Sequence, residues 1–275
     1  MSTQALEGSH ARSGPINRAW RILATGWSFA SFGVGGLIIG LGIYPVVRLI
    51  TPDPVLRRQR IQGVIQRTFG LFVKMMCRLG IMRLSVENQA ALQAPGQLII
   101  ANHPTLIDVV VLISLLPRTR CVVKDALLRN PFTRGPITAA GYIPNSASAA
   151  LVPACAEVLE DGESLLIFPE GTRTTPGVQS RFQRGTANVA LATQAPLRPV
   201  FIDCTPSTLT KGLPWYAVPA HRFHIRVRVG ELVDVAPFRS MDSRAIAARR
   251  LNTTLEELLW QGAQSLSQTA PSSPN

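Results

Sequence analysis

The stretch QLIIANHPTLID, residues 97–108, joins an uninterrupted apolar run to a short polar turn. An apolar run without alternation is typical of a strand that is covered on both faces, as in a parallel sheet. Pro104 suits the first turn of a helix, because its missing N–H costs nothing there. The stretch therefore predicts a buried strand, a turn at His103 and then a helix. Ligand sites of α/β sheets form at this carboxyl edge.

The rest of the chain after residue 81 repeats this alternation of short apolar runs and helical stretches. Such alternation predicts an α/β domain with helices on both faces of a sheet. The predicted strands are MRLSV (82–86), QLIIA (97–101), TRCVV (119–123), SLLIF (164–168), RPVFI (198–202) and FHIRVRV (223–229). The predicted helices are 104–116, 147–160, 184–194 and 242–262.

His103 and Asp108 are candidates for a paired acid–base site. Residues five apart on one helix point about 140° away from each other, so the two meet only if His103 lies in the turn before the helix. Asp108 would then bind one imidazole nitrogen and leave the other free to take a proton. The alternative is that His103 only caps the helix while Asp108 faces solvent. No third ligand lies at a spacing that suits a metal.

A second polar turn, FPEGTR at residues 168–173, follows the buried run SLLIF. Gly171 lets the backbone come close to a ligand. The planar guanidinium of Arg173 suits a phosphate. Glu170 can orient Arg173 or bind an acceptor hydroxyl, although a surface turn with a salt bridge is an alternative. Two strand-end turns of this kind in one sheet favour a shared site.

Residues 22–47 carry no charge. A membrane-spanning helix needs about 20 apolar residues, so we predict a membrane helix at 22–50 after a flexible N-terminus at 1–21. A buried core helix and a helix lying in one leaflet are alternatives. Gly36 and Gly40 form a spacing that also occurs in helix dimers.

Residues 51–82 form a predicted basic amphipathic helix. It either lies on anionic headgroups or packs on the domain as an ordinary surface helix. The chain has 28 Lys+Arg against 16 Asp+Glu, a net charge of +12, which favours an anionic partner. The uncharged N-terminal segment, together with the lack of zinc-finger or RNA-binding patterns, favours an anionic membrane surface over nucleic acid. More positive residues follow the segment than precede it, which predicts an inner-membrane protein with a cytoplasmic domain.

The two turns, in this order and spacing, resemble the membrane-associated lysophospholipid acyltransferases, which include the 1-acylglycerol-3-phosphate acyltransferases. The matching motifs are Asn102-His103-x4-Asp108 and the intact block at 168–173. The resemblance implies a glycerophosphate-acyltransferase-like sheet flanked by helices at residues 83–265. The polar composition of residues 266–275 predicts a disordered tail after it.

The resemblance also implies the roles of the residues. His103 would be the general base and Asp108 its orienting partner, while Glu170, Gly171, Thr172 and Arg173 would hold the acceptor. The acyl group would come from acyl-CoA or acyl carrier protein as co-substrate, without a cofactor or metal. The favoured acceptor is a lysophospholipid, 1-acylglycerol-3-phosphate.

Two departures from the family pattern leave alternatives open. Asn145 in GYIPN stands where the family usually has Arg, and FQRG has Gln183 where Lys is common, with Arg184 beside it. If Asn145 and Arg184 contact the headgroup, a different lyso-lipid or a specialised lipid acceptor is an alternative. A non-catalytic membrane scaffold is another. A Ser-dependent lipid hydrolase is disfavoured, because no Gly-x-Ser-x-Gly elbow is present.

Overall fold

The computed structural model describes residues 15–145, 150–175 and 177–268. The chain begins with a continuous N-terminal helix made of α1 (Pro15–Leu37), a π-helical segment (Ile38–Ile43) and α2 (Tyr44–Ile50). The later elements are α3 (Pro54–Arg78), β1 (Met82–Glu87), a 3₁₀ turn (Gln89–Gln93), β2 (Leu98–Ala101), α4 (Asp108–Leu115), β3 (Thr119–Val123), α5 (Ala126–Arg129), α6 (Pro131–Ala139), β4 (Ile143–Pro144), α7 (Leu151–Glu160), β5 (Ser164–Ile167), α8 (Gly185–Ala192), β6 (Leu197–Thr205), β7 (Phe223–Val229), α9 (Ala236–Arg239) and α10 (Arg244–Gln268).

The strands form one seven-stranded sheet in the order β1-β7-β6-β2-β5-β3-β4. Every pairing is parallel except that of β6 with β7. The predicted α/β fold is confirmed, and each of the six predicted strands is present. Because β2 and β5 are parallel neighbours, the loops that carry the two sequence motifs meet at the same edge.

Helices cover both faces of the sheet and enclose two apolar cores. One core joins the sheet to α1, α3 and α4 through side chains such as Ile61, Ile65 and Leu112. The other joins it to α7, α8 and α10 through side chains such as Val158 and Leu255. The central strands β2 and β5 are buried along their whole length, as their unbroken apolar sequences predict.

The N-terminal helix packs along the side of the domain. A Cβ placed on Gly36 would overlap the carbonyl oxygen of Phe132 in α6, and one on Gly40 would lie 3.2 Å from Cα of Gly135. Because Gly36 and Gly40 have no side chain, α6 packs closely against the N-terminal helix of the same chain. In the described residues, one helix, Ile16–Ile50, is long and apolar enough to cross a membrane, with a mean hydropathy of 1.8.

Two predicted boundaries differ from the structure. Residues 15–21 are helical instead of flexible, because α1 begins at Pro15; residues 1–14 lie outside the described part. Residues 266–268 continue α10 instead of forming a disordered tail, because Leu266 is buried in the second core. The remainder of that predicted tail, 269–275, is outside the described residues.

Helix α3 is an ordinary domain helix on its inner face. Ile61, Ile65 and Met76 are buried there, and Gln62 donates from Nε2 to Glu163 Oε2 at 2.8 Å. The outer face keeps exposed cations, namely Arg60, Arg67, Lys74 and Arg78. The packed-helix alternative therefore describes α3, and its basic outer stripe remains available to a surface.

Helices α5 and α6 were not predicted from the sequence. Their stretch contains Pro131, Gly135 and Pro136, which are residues typical of loops. Asn130 caps α6 by accepting from the Phe132 N–H at 3.0 Å, and Pro131 occupies the first turn. The predicted helix 147–160 is observed from Leu151, and residues 146–149 lie outside the described part.

Candidate active site

His103 lies in the turn between β2 and α4, and Asp108 is the first residue of α4. His103 Nδ1 is 2.9 Å from Asp108 Oδ2. The pair meets because His103 is off the helix. Since an ionised carboxylate only accepts hydrogen bonds, Nδ1 carries the proton and Nε2 presents its lone pair.

The carboxylate of Asp108 is completely buried, with 0% exposure, and is surrounded by donors. Thr105 donates its backbone N–H to Oδ2 at 2.6 Å and its hydroxyl to Oδ1 at 2.5 Å. These bonds stabilise the carboxylate and the start of α4 together. They also fix the position from which Asp108 holds the imidazole.

The imidazole of His103 lies on the ring of Phe168, with centroids 4.4 Å apart. Within the part of the chain that the structure describes, no hydrogen bond joins Nε2 to another residue. The ring lines a cavity of about 980 Å³, which is bounded mainly by α1, α3, α4 and α6. The free nitrogen is thus directed at a large space in which a substrate can lie.

The deep part of this cavity is apolar, with walls that include Phe29, Phe72, Ile113 and Cys121. Cys121 is level with Leu166, which pairs with Ile99, and His103 follows four residues later. The cavity therefore runs along the sheet from the level of Cys121 and Ile99 to the His103 turn, which follows the end of β2 at Ala101. Burial raises the pKa of the Cys121 thiol to about 12, so this cysteine is not a thiolate nucleophile.

Five residues of the FPEGTR loop line the same cavity: Phe168, Pro169, Gly171, Thr172 and Arg173. Gly171 has a φ of +63°, and a Cβ there would lie 2.5 Å from Nε2 of Gln183. Arg173 donates from Nη1 to the carbonyl oxygens of Leu209 at 2.7 Å and Thr210 at 2.9 Å. These bonds tie the loop after β5 to the connection between β6 and β7 while the Arg173 charge stays at the cavity wall.

Glu170 does not take the position that the sequence suggested. Its Oε1 accepts from the backbone N–H of His103 at 3.2 Å and from the Thr174 hydroxyl at 2.5 Å. It forms no ion pair with Arg173. The carboxylate lies behind the His103 turn, against a smaller cavity of about 400 Å³.

The two positions that depart from the family pattern have different environments. Asn145 lines the large cavity, and its Oδ1 accepts from the Asp125 N–H at 3.3 Å. Gln183 also lines the cavity. Arg184 is exposed beside α8 and is not among the lining residues, so the structure does not bring it to the site.

Sequence reasoning missed three cations that line the large cavity, namely Arg21, Lys124 and Lys211. Lys124 directly follows β3, so its place at a strand end in the same sheet was a usable signal. Lys211 lies in the long β6–β7 connection, whose path no local pattern predicts. In the described ranges, no group of three or more His, Cys, Asp or Glu side chains could hold a metal ion.

The site and fold define a class: an α/β domain whose His–Asp pair opens, at the carboxyl edge of the sheet, onto a deep apolar cavity. The acyltransferase family model matches residues 83–203. The match covers 121 of the 275 residues, and the resemblance seen in the two motifs is confirmed.

Two curated relatives share one name with each other. A 1-acyl-sn-glycerol-3-phosphate acyltransferase of Helicobacter pylori is 28% identical over 133 residues, covering 46% of this chain and 56% of its own length. Another of that name from Borreliella burgdorferi is 30% identical over 145 residues, covering 50% of this chain and 56% of its own length. The chain thus matches little more than half the length of these relatives.

A solved structure has the same fold. The crystal structure of the 1-acyl-sn-glycerophosphate (LPA) acyltransferase PlsC from Thermotoga maritima superposes with a TM-score of 0.71 at 21% identity, over 94% of this chain and 100% of that chain. The coverage includes the N-terminal helical region as well as the sheet.

Proposed function

We propose that the protein is a membrane-associated O-acyltransferase that moves an acyl chain from an acyl thioester to the hydroxyl of a lysophospholipid. The observation that carries this proposal is the setting of His103: a buried carboxylate holds Nδ1, the residue lines the cavity, and Nε2 forms no hydrogen bond among the described residues. This arrangement suits a general base that acts on a substrate hydroxyl.

The chemistry follows from the free nitrogen. Nε2 of His103 removes the proton of the acceptor hydroxyl as its oxygen attacks the thioester carbonyl. The C–O bond forms and the C–S bond breaks, and the thiolate leaves with the proton held by the imidazolium. Asp108 stabilises the imidazolium that forms during the step. No acyl-enzyme is needed, which agrees with the protonated state of Cys121.

Acyl-CoA or acyl carrier protein would supply the thioester. The apolar depth of the cavity suits the acyl chain, because burial of methylene groups is favourable by about 0.8 kcal/mol each. Arg173, Lys124 and Lys211 supply positive charge at its walls, and this charge suits the phosphate of the acceptor.

The favoured acceptor is 1-acylglycerol-3-phosphate, in phospholipid biosynthesis, since the named relatives are acyltransferases for that compound. A lyso-lipid with another headgroup is the second candidate. Asn145 favours it, because a neutral amide replaces a charge at the cavity wall and already accepts a hydrogen bond from the backbone of Asp125.

The packing of the N-terminal helix favours insertion into one membrane leaflet over a helix that spans the bilayer. Its middle packs on α6 at Gly36 and Gly40, so an upright helix would draw α6 and its exposed Arg134 into hydrocarbon. One stripe of the helix faces outward with large apolar side chains: Trp20, Leu23, Trp27, Val34, Ile38 and Leu41. A helix lying in the plane of an inner-membrane leaflet buries this stripe and keeps the catalytic domain on the cytoplasmic side.

The activity is tested with purified protein in detergent–lipid micelles. Labelled acyl-CoA and acyl carrier protein thioesters are offered with lysophosphatidic acid and zwitterionic lyso-lipids, and products are read by mass. We expect a diacyl product that depends on His103. Thioester hydrolysis without acceptor acylation, or no turnover with any acceptor, contradicts the proposal.

The membrane arrangement is tested by placing charge on the outward stripe. The double variant Leu23→Lys, Trp27→Lys should bind phospholipid vesicles far more weakly, while wild type should stay bound in high salt because salt does not weaken apolar burial. Ile246→Lys is the matched control, since Ile246 is an exposed apolar residue on α10, which covers the other face of the sheet. Equal binding by all three proteins contradicts one-leaflet insertion.

A further inference from the structure

Both backbone polar groups of His103, the N–H and the carbonyl oxygen, form hydrogen bonds with the loop after β5. Its N–H donates to the Thr174 hydroxyl oxygen at 2.9 Å and to Glu170 Oε1 at 3.2 Å. Its carbonyl oxygen accepts from the Thr174 N–H at 2.7 Å. Thr174 therefore accepts a hydrogen bond from the His103 N–H and donates one to the His103 carbonyl oxygen. These two bonds link the adjacent loops.

Glu170 accepts hydrogen bonds from both His103 and Thr174, and it does so from the side that faces away from the substrate cavity. Its Oε1 receives the Thr174 hydroxyl at 2.5 Å as well as the His103 N–H. The carboxylate is only 6% exposed, and Oε2 is buried without a hydrogen-bond partner among the described residues. Glu170 and Thr174 line the smaller cavity, whereas the imidazole lines the larger one.

We propose that Thr174 and Glu170 are positioning residues for His103, and that Glu170 does not bind the acceptor. The inference rests on the proposed function in one respect, namely that His103 is the base. It assigns to Glu170 a role other than the acceptor contact that the motif suggested. It also adds Thr174, which lies just outside the FPEGTR block.

The physical reason is that the imidazole has two points of attachment. Asp108 fixes Nδ1, and the Thr174–Glu170 pair fixes the backbone from which the side chain projects. A base must stay within about 0.5 Å of its working position, and a displacement of about 1 Å costs on the order of 10²-fold in rate. Neither Thr174 nor Glu170 needs to touch the acceptor for this effect.

The test uses Thr174→Val, which keeps the backbone N–H and the shape but removes the hydroxyl. We expect kcat to fall on the order of 10²-fold while KM for the acceptor changes little, which is the signature of lost transition-state alignment. Thr174→Ser should restore most of kcat, because it returns the hydroxyl. Thr175→Val is the matched control, since Thr175 is the exposed neighbour of Thr174, and it should behave as wild type.

A second pair of variants keeps the test decisive if Thr174→Val does not fold. Glu170→Gln retains an Oε1 acceptor and should keep most of kcat, whereas Glu170→Ala should lose as much as Thr174→Val. A large rise in KM for the acceptor in Glu170→Gln, with kcat unchanged, overturns the proposal and returns Glu170 to acceptor binding.

A spectroscopic reading separates this proposal from the proposed function. In protein labelled with ¹⁵N-histidine, the His103 ring signals should shift or broaden in Thr174→Val and return in Thr174→Ser. Unchanged His103 signals in Thr174→Val overturn the positioning role. A wild-type protein with no transferase activity, but with this pattern of signals, would contradict the proposed function and leave the positioning of His103 supported.

Discussion

Asp108 and Glu163 are both buried carboxylates, and they lie at opposite edges of the same sheet. Asp108 follows β2 at the carboxyl edge, and its donors are Thr105 and the imidazole of His103. Glu163 precedes β5 at the amino edge, and its donors are Arg58, Arg120 and Gln62. One carboxylate faces a group that can gain or lose a proton, and the other faces two permanent cations.

This difference separates a reactive site from a structural one. Because guanidinium groups stay charged, the Glu163 ion pairs are permanent, and they fasten α3 to the sheet. Burial of Glu163 alone would raise its pKa, but hydrogen bonds from Arg120, Gln62 and Arg58 outweigh this and hold the pKa below its ordinary value of 4.5. Among the described residues no Arg or Lys pairs with Asp108, so a proton taken up by His103 during the reaction supplies the positive charge.

The largest expected effect is on catalysis at the carboxyl edge. Asp108→Asn should reduce acyl transfer on the order of 10⁴-fold by analogy with serine proteases, because the imidazole loses the partner that sets its tautomer. His103→Ala should remove the transfer that depends on the base. Both are measured as initial rates, and circular dichroism should show folded protein. If His103→Ala keeps nearly normal turnover, the general-base role is wrong.

The next largest effect is on stability at the amino edge. Glu163→Gln should lower the free energy of unfolding by at most about 3–5 kcal/mol, the usual cost of breaking a buried ion pair, because Asp161 still lies 3.7 Å from Arg58 and 3.5 Å from Arg120. Glu163 is 3% exposed, so solvent cannot replace the lost charge. At a temperature where the variant is folded, its turnover should match wild type. A strong loss of turnover in folded Glu163→Gln would erase the contrast between the two carboxylates.

The dependence of stability on pH tests whether Glu163 acts as a permanent ion-pair partner. Because the folded pKa of Glu163 is depressed, its stabilisation is fully present above the ordinary value of 4.5 and is lost as pH falls through the lower folded pKa. The difference in unfolding free energy between wild type and Glu163→Gln should therefore be constant near neutral pH and shrink below that value. Denaturant titrations of both proteins at several pH values measure it. A difference that grows on acidification would contradict the ion-pair description.

The smallest expected effect comes from adding a positive charge at position 145, where the family pattern has Arg and this chain has Asn. Asn145→Arg should improve turnover of lysophosphatidic acid by about tenfold or more if the native acceptor has a different headgroup, since a charge-assisted bond contributes roughly 1.5–3 kcal/mol. Rates on lysophosphatidic acid and on a zwitterionic lyso-lipid are compared for both proteins. High native activity on lysophosphatidic acid that the new Arg does not improve would show that Lys124, Lys211 or Arg173 already supplies the charge.

The sheet and half of the site were predictable because their signals are local. Buried strands such as LLI in β5 read as apolar runs, and Pro104 marks the turn that frees His103 to meet Asp108. The contacts of Glu170 and Thr174 with His103 were not predictable, because they depend on β2 and β5 being neighbours. Arg184 lies outside the cavity lining, which the motif could not show because it fixes the position of a residue in the chain but not the direction of its side chain.

The close packing of Gly36 against Phe132 has a consequence for the time course of synthesis. At about 5–20 residues per second, the roughly 100 residues between them take on the order of 5–20 s to emerge. Helix formation takes about a microsecond, so α1 is complete long before α6 exists. During that interval the part of α1 that packs on α6 has no partner in its own chain, although α3 is already available to Phe32. If the protein is membrane-associated as proposed, the helix should reach the bilayer first and the α/β domain should assemble onto it there.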